Sequence, residues 1–138
     1  MDGTGVIGIV IVAHGGLARE YLAAVEHVMG PQTGIRAIAI EADHDRTAKM
    51  AEIQVAANEV DTGHGVIVVT DMFGGSPSNL SLPACEARDR RILYGANLPM
   101  LIKLTSVRTG DDMAAALQEA QMAGRKYINV ASQVLSGK

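Results

Sequence analysis

Two short stretches carry residues whose types and placement suit chemistry. In "GIVIVAHGGLA" (Gly8–Ala18) an apolar run stops at His14 and two glycines follow at once. In "TDMFGGSPSN" (Thr70–Asn79) an apolar run stops at Asp71, and a Gly-Gly pair leads into Ser-Pro. Each residue is the first ionisable group after a strand-like segment. If those segments are neighbours in a sheet, Asp71 can accept a hydrogen bond from one ring nitrogen of His14. That contact fixes the tautomer and leaves the other nitrogen's lone pair facing a cleft, which makes the ring a nucleophile. The carboxylate also offsets the positive charge the ring gains on attack, as in the Asp–His half of a hydrolase triad. No serine sits in a nucleophile-elbow pattern, so acyl transfer is not indicated.

The second stretch also suits an anion. Glycines turn tightly and present N–H groups, and a helix N-terminus adds unpaired donors and a partial positive charge. The donors expected are the N–H groups of Gly74, Gly75, Ser76, Ser78 and Asn79, with the Ser76 hydroxyl; Pro77 has no N–H. Such a cradle fits a phosphoryl group. Ser76 reads as the N-cap and Pro77 as the first helical residue. The plainer alternative is that His14 only caps a strand and Asp71 only caps a turn.

Other candidates are weaker. "GTGVIG" (Gly3–Gly8) matches a dinucleotide fingerprint in letters, but it precedes a strand and opens no helix. No GxxxxGK[ST] loop is present, so direct use of ATP is not expected. His27 falls within a helix, and His44 and His64 fall in loops as solvated side chains. His14 and Asp71 lack a third nearby ligand, so neither a metal nor another cofactor is expected. Cys85, the single cysteine, reads as a small apolar helix residue and permits no intrachain disulfide.

These residues need a scaffold, and the chain reads as strands alternating with helices. Val6–Ala13, Ile35–Ile40, Val66–Thr70 and Arg91–Gly95 read as strands; the first and third are almost wholly apolar, as strands covered on both faces should be. Between them, Leu17, Tyr21, Leu22, Val25, Val28 and Met29 share a helical face that ends at Gly30-Pro31. A second helix runs from Asp45, as its cap, to Val60. The helix starting near Ser76 meets Pro83, which shortens or kinks it. "NLPMLIKLTSVR" turns into a short helix, Thr109 and Asp112 suggest a capping box for a helix through Met122, and Gly124 closes it. "RKYINVA" (Arg125–Ala131) reads as a last strand. Alternating elements make a mainly parallel sheet with helices on both faces, three layers in all. In such sheets ligands bind beyond the carboxyl ends of the strands, where neighbouring connections leave for opposite faces.

At 138 residues and 48% apolar content the chain is expected to be one domain, residues 1–138, with a core of Val, Ile, Leu, Met and Ala. The net charge of −3 with dispersed Lys and Arg, and only four aromatic residues, argue against nucleic acid as a partner. No apolar run is long enough to cross a membrane and the N-terminus lacks a basic leader, so a cytoplasmic protein is expected.

"VAHGGLA", "VVTDMFGGSPSN" and "GANLPML" (Gly95–Leu101) resemble the three signature stretches of the mannose-type enzyme IIA domain, a component of the bacterial phosphoenolpyruvate-dependent sugar phosphotransferase system. The resemblance covers nearly the whole chain, and the Asp-x-aromatic-Gly-Gly-Ser-Pro stretch is its most specific part. It implies that His14 is phosphorylated on Nε2 while Asp71 holds Nδ1, that the donor is the phosphocarrier protein HPr, and that the acceptor is an enzyme IIB. It implies strand order 2-1-3-4 and a homodimer in which a C-terminal antiparallel edge strand, here "KYINV" (Lys126–Val130), is exchanged. Some members continue through a linker into a IIB domain; the residues up to Lys138 include neither. A stand-alone IIA serving transport through a separate IIB, and a regulatory module switched by phosphorylation of His14, are both compatible with the sequence. A nucleotide-binding flavodoxin-like domain is a third possibility, resting on fold analogy alone.

Overall fold

A computed structural model describes residues 5–86, 89–110 and 112–136. Four strands, β1 (Gly8–His14), β2 (Ile35–Ile40), β3 (Val66–Thr70) and β4 (Arg90–Leu93), form a parallel sheet in the order β2-β1-β3-β4. Among the described residues, the helices α1 (Leu17–Met29), α2 (Arg46–Val60), α3 (Gly75–Ser81), α4 (Leu98–Val107) and α5 (Met113–Lys126) connect and cover them, and α6 (Ala131–Ser136) follows.

The apolar runs divide by parity, because successive strand residues face opposite sides. Ile9, Ile11 and Ala13 of β1 join Ile67 and Val69 of β3 in a core with Val25 of α1, Leu104 of α4 and Ala120 of α5. Val10 and Val12 join Val66 and Val68 in the opposite core, with Ile53 of α2 and Leu80 of α3. The connection leaving β1 therefore crosses one face and the connection leaving β3 crosses the other. β1 and β3 are adjacent, so the crevice between their carboxyl ends is the topological switch point. Two chain ends with opposed exits cannot close over one another, and the gap stays open to solvent.

At the far end of the sheet a buried arginine locks the amino ends of the strands. Arg108 donates to the carbonyl of Gly34 at 3.1 Å, to Gln32 Oε1 at 3.2 Å and to the Thr33 carbonyl. Its burial pushes the guanidinium pKa down. The scaffold under the switch point is thus tied at both ends of β1.

The caps show where local chemistry decided the elements. Ala48 N–H donates to Asp45 Oδ1 at 3.1 Å and starts α2 as the sequence suggests. α3 begins two residues earlier than expected: Gly74, not Ser76, is its N-cap, and Pro77 sits in the first turn. Gly74 and Gly75 take φ values of +80° and +76°, so the chain turns before it reaches Ser76. α3 stops at Ser81, and Pro83 opens a short 3-10 turn through Cys85, the break expected there. α5 is capped by Asp112, whose Oδ1 accepts from Ala115 N–H at 3.0 Å, so Thr109 plays no part in the cap.

Gly124 does not end α5, which continues to Lys126. Instead it lets two helices approach: a Cβ there would lie 3.2 Å from the Met100 side chain of α4. The strand expected over Arg125–Ala131 is not formed. Residues 127–130 have no regular structure, and exposed α6 follows. A strand needs a neighbour to take its N–H and C=O groups, and the described residues of this chain place none beside it.

Candidate active site

The ends of β1 and β3 differ in length, and this difference builds the site. β3 stops at Thr70, opposite Val12, while β1 runs two residues further to His14. The Asp71 carboxylate occupies the place where the next ladder carbonyl would be. Its Oδ2 accepts from the His14 backbone N–H at 3.0 Å and lies 2.8 Å from His14 Nδ1. An ionised carboxylate can only accept, so Nδ1 carries the proton and Nε2 keeps its lone pair. One oxygen thereby clamps both the backbone and the ring of residue 14. The His14 side chain is 50% exposed and that of Asp71 only 11%, so the imidazole is open while its holder is sheltered.

Alternation along β1 turns His14 toward the α3 side of the sheet. The turn before α3 meets it there. A Cβ built on Gly75 would lie 3.7 Å from both Nε2 and Cε1 of the ring. No side chain caps α3, so the N–H groups of Gly74, Gly75 and Ser76 are free of both helix and cap bonds. The residues named from sequence separate at this point. His14, Asp71 and Gly75 meet at the switch point, and Gly74 and Ser76 flank Gly75 in the same turn. Ser78 and Asn79 lie a turn into α3, where amides bond to carbonyls four residues back; the Ser78 side chain is buried and that of Asn79 is exposed.

The third stretch, Gly95–Leu101, braces the site from the side. Ala96 N–H donates to the Thr70 carbonyl at 3.0 Å, immediately before Asp71. Asn97 caps α4, accepting from Met100 N–H at 3.0 Å, and its Nδ2 donates to the Gly124 carbonyl at 2.8 Å. Three features of the site went unread in the sequence. The backbone bond from residue 14 depends on where β3 stops, which no local pattern states. Tyr21, whose hydroxyl donates to the Ala96 carbonyl at 3.0 Å, carried only a core signal. Phe73, 76% exposed beside Met72, packs edge-on against Tyr94 with ring centroids 5.0 Å apart; an aromatic after Asp71 was visible but had no assigned neighbour.

Comparison with known proteins resolves the family. The family model EIIA-man, described as PTS system fructose IIA component, matches residues 8–121. The chain belongs to that family. It is 28% identical over 106 residues to the PTS system mannose-specific EIIAB component of Escherichia coli strain K12. The aligned part is 76% of this chain and 33% of that protein, so the chain spans about a third of the curated relatives it matches. Among solved structures, phosphotransferase system component EIIA from Streptococcus agalactiae superposes with a TM-score of 0.79 at 28% identity, covering 92% of this chain and 98% of that one. The PTS IIA protein associated with the fucose utilization operon of Streptococcus pneumoniae gives a TM-score of 0.81 at 26% identity, covering 94% and 97%.

Within this EIIA-man chain the other chemical candidates are set apart from the crevice. The Cys85 thiol is pushed up to about 11 by burial, against the lowering pull of Arg90 and Arg91, and is no nucleophile at neutral pH. Among the described residues, no three His, Cys, Asp or Glu are grouped to hold a metal ion. Nor is any described helix long and apolar enough to cross a membrane.

Proposed function

We propose that this chain is a phosphocarrier of the phosphotransferase system, taking a phosphoryl group from phospho-HPr on His14 Nε2 and passing it to an enzyme IIB partner for sugar uptake. The observation that carries the reading is the 2.8 Å contact between His14 Nδ1 and Asp71 Oδ2, with Gly75 beside Nε2, where a Cβ would lie 3.7 Å from it. The lone pair on Nε2 attacks phosphorus, and the donor's P–N bond breaks with its electron pair returning to the donor imidazole. The His14 ring becomes cationic, keeps its proton on Nδ1, and is balanced by the Asp71 carboxylate. The amides of Gly74, Gly75 and Ser76 face the equatorial oxygens of the group in flight. Transfer to IIB runs the same step in reverse with a new acceptor. The half-exposed ring and the bare Phe73 and Met72 side chains suit a donor and an acceptor that are themselves proteins. Incubation with phosphoenolpyruvate, enzyme I and HPr should raise the intact mass by one phosphoryl group per chain; an unchanged mass contradicts the proposal.

Gly75 sharpens the geometry. Alanine there places a methyl group 3.7 Å from Nε2, in the space the phosphoryl oxygens need, and must also adopt φ near +76°. We expect Gly75→Ala to retain the fold by circular dichroism and to be phosphorylated roughly 100-fold more slowly. Phosphorylation at the wild-type rate would place the phosphoryl group elsewhere.

The reading extends to a homodimer. β4 is an edge strand, and Tyr127, Ile128, Val130, Val134 and Leu135 are all exposed apolar residues just beyond α5. Exchange of Lys126–Val130 onto the β4 edge of a second copy would satisfy both. Sedimentation should give twice the chain mass; a monomer at tens of micromolar contradicts it.

A further inference from the structure

We infer that Tyr21 is a positioning residue for the Asp71–His14 pair, acting on the side of the carboxylate that His14 does not hold. The inference rests on the phosphocarrier reading of His14. Asp71 uses one oxygen, Oδ2, for both of its bonds to residue 14. Its other oxygen, Oδ1, is buried and has no hydrogen-bond partner among the described residues. A carboxylate held through one atom can pivot about that atom, so its orientation must be set by what lies behind it.

Tyr21 reaches the backbone that carries Asp71. It lies in α1, seven residues beyond His14, and its ring packs on the core beneath the crevice. Its hydroxyl donates to the Ala96 carbonyl at 3.0 Å, and Ala96 N–H donates to the Thr70 carbonyl at 3.0 Å. Phenol, β4–α4 loop and the backbone entering Asp71 thus form one hydrogen-bonded chain. Burial first, and the negative charge of Asp71 second, raise the phenol pKa. The hydroxyl stays neutral and keeps its proton for Ala96, and the carboxylate lies close enough to sense it. A tyrosine serving only as core would need its ring and not its hydroxyl, and this separates the two roles.

Tyr21→Phe keeps the ring and removes the hydroxyl. Transfer from phospho-HPr should slow about tenfold with KM unchanged, within the range for loss of a group that orients a reacting side chain. In an Asp71→Ala background the same change should add no further loss, since the side chain that Tyr21 positions is gone. Independently of any donor, 15N NMR of His14 should show a smaller fraction of the Nδ1–H tautomer in Tyr21→Phe. Wild-type transfer, equal slowing in both backgrounds, or an unchanged tautomer would each overturn the inference. Should Tyr21→Phe lose its melting transition, Asp71→Asn carries the test: the Tyr21 Cζ resonance should move while that of Tyr127 stays, and an unmoved Tyr21 signal refutes the coupling. A wild-type chain that phospho-HPr fails to label would remove the carrier reading, while the tautomer measurement still decides the role of Tyr21.

Discussion

Alanine in place of His14 should reduce phosphoryl uptake from phosphoenolpyruvate, enzyme I and HPr to background. The chain holds three other histidines and one cysteine, and none is equipped to substitute. His44 spends its Nδ1 on the Glu41 carbonyl at 2.8 Å, in an exposed loop. His27 lies exposed at the last turn of α1, and His64 lies in the α2–β3 turn at the opposite end of the sheet. The Cys85 thiol is protonated at neutral pH. The variant should also fold normally. The ring is half exposed, and the residue-14 N–H still donates to Asp71, so the stability change is about 1 kcal/mol or less. Autoradiography beside a melting curve checks both halves; label retained in a folded variant would assign the chemistry to another residue.

Asp71→Asn is expected to cut the transfer rate roughly 100-fold while leaving the fold in place. An asparagine oxygen can still accept from the backbone N–H and from Nδ1–H, so the two bonds that shape the β1–β3 crevice survive. What is lost is the negative charge. In the proposed step it would balance the imidazolium formed on attack, in a pocket where the carboxylate is only 11% exposed and water screens it poorly. The loss should therefore appear in the rate constant for transfer and not in the affinity for phospho-HPr, which the surrounding surface sets. Rapid-quench measurement across donor concentrations separates the two. A wild-type rate constant in Asp71→Asn would remove the charge-balancing role, and a change confined to affinity would recast Asp71 as a docking residue.

Much of this arrangement is legible in residue order, for definite physical reasons. Ile9–Ala13 and Val66–Val69 are continuous apolar runs because both sheet faces are covered. That alone implies parallel strands with helices on each side, and it places His14 and Asp71 at carboxyl ends. Strand adjacency came from the family resemblance, and the observed order β2-β1-β3-β4 agrees with it. Features governed by backbone conformation or by distant packing were misplaced. Ser76-Pro77 has the composition of a helix start, yet the left-handed glycines before it begin α3 two residues sooner. Gly124 has the look of a helix end, yet it is a contact point between α4 and α5. Lys126–Val130 has strand composition, but composition cannot supply the neighbour a strand requires.

The bond from the residue-14 backbone to Asp71 was invisible for a further reason. It exists because β1 outruns β3 by two residues, a relation between segments 57 positions apart. Tyr21 was hidden differently. Its spacing matches the apolar face of α1, and only the position of Ala96 shows that its hydroxyl has work to do.

The central claim is that the phosphoryl group sits on Nε2 of His14 while Nδ1 stays protonated against Asp71. Multi-bond 15N–1H NMR of histidine-labelled protein, recorded before and after treatment with phosphoenolpyruvate, enzyme I and HPr, tests it directly. One histidine, assigned to position 14 by its absence in His14→Ala, should acquire nitrogen–phosphorus coupling at Nε2 and retain its Nδ1 proton. Coupling at Nδ1, at any other histidine, or at none would contradict the account.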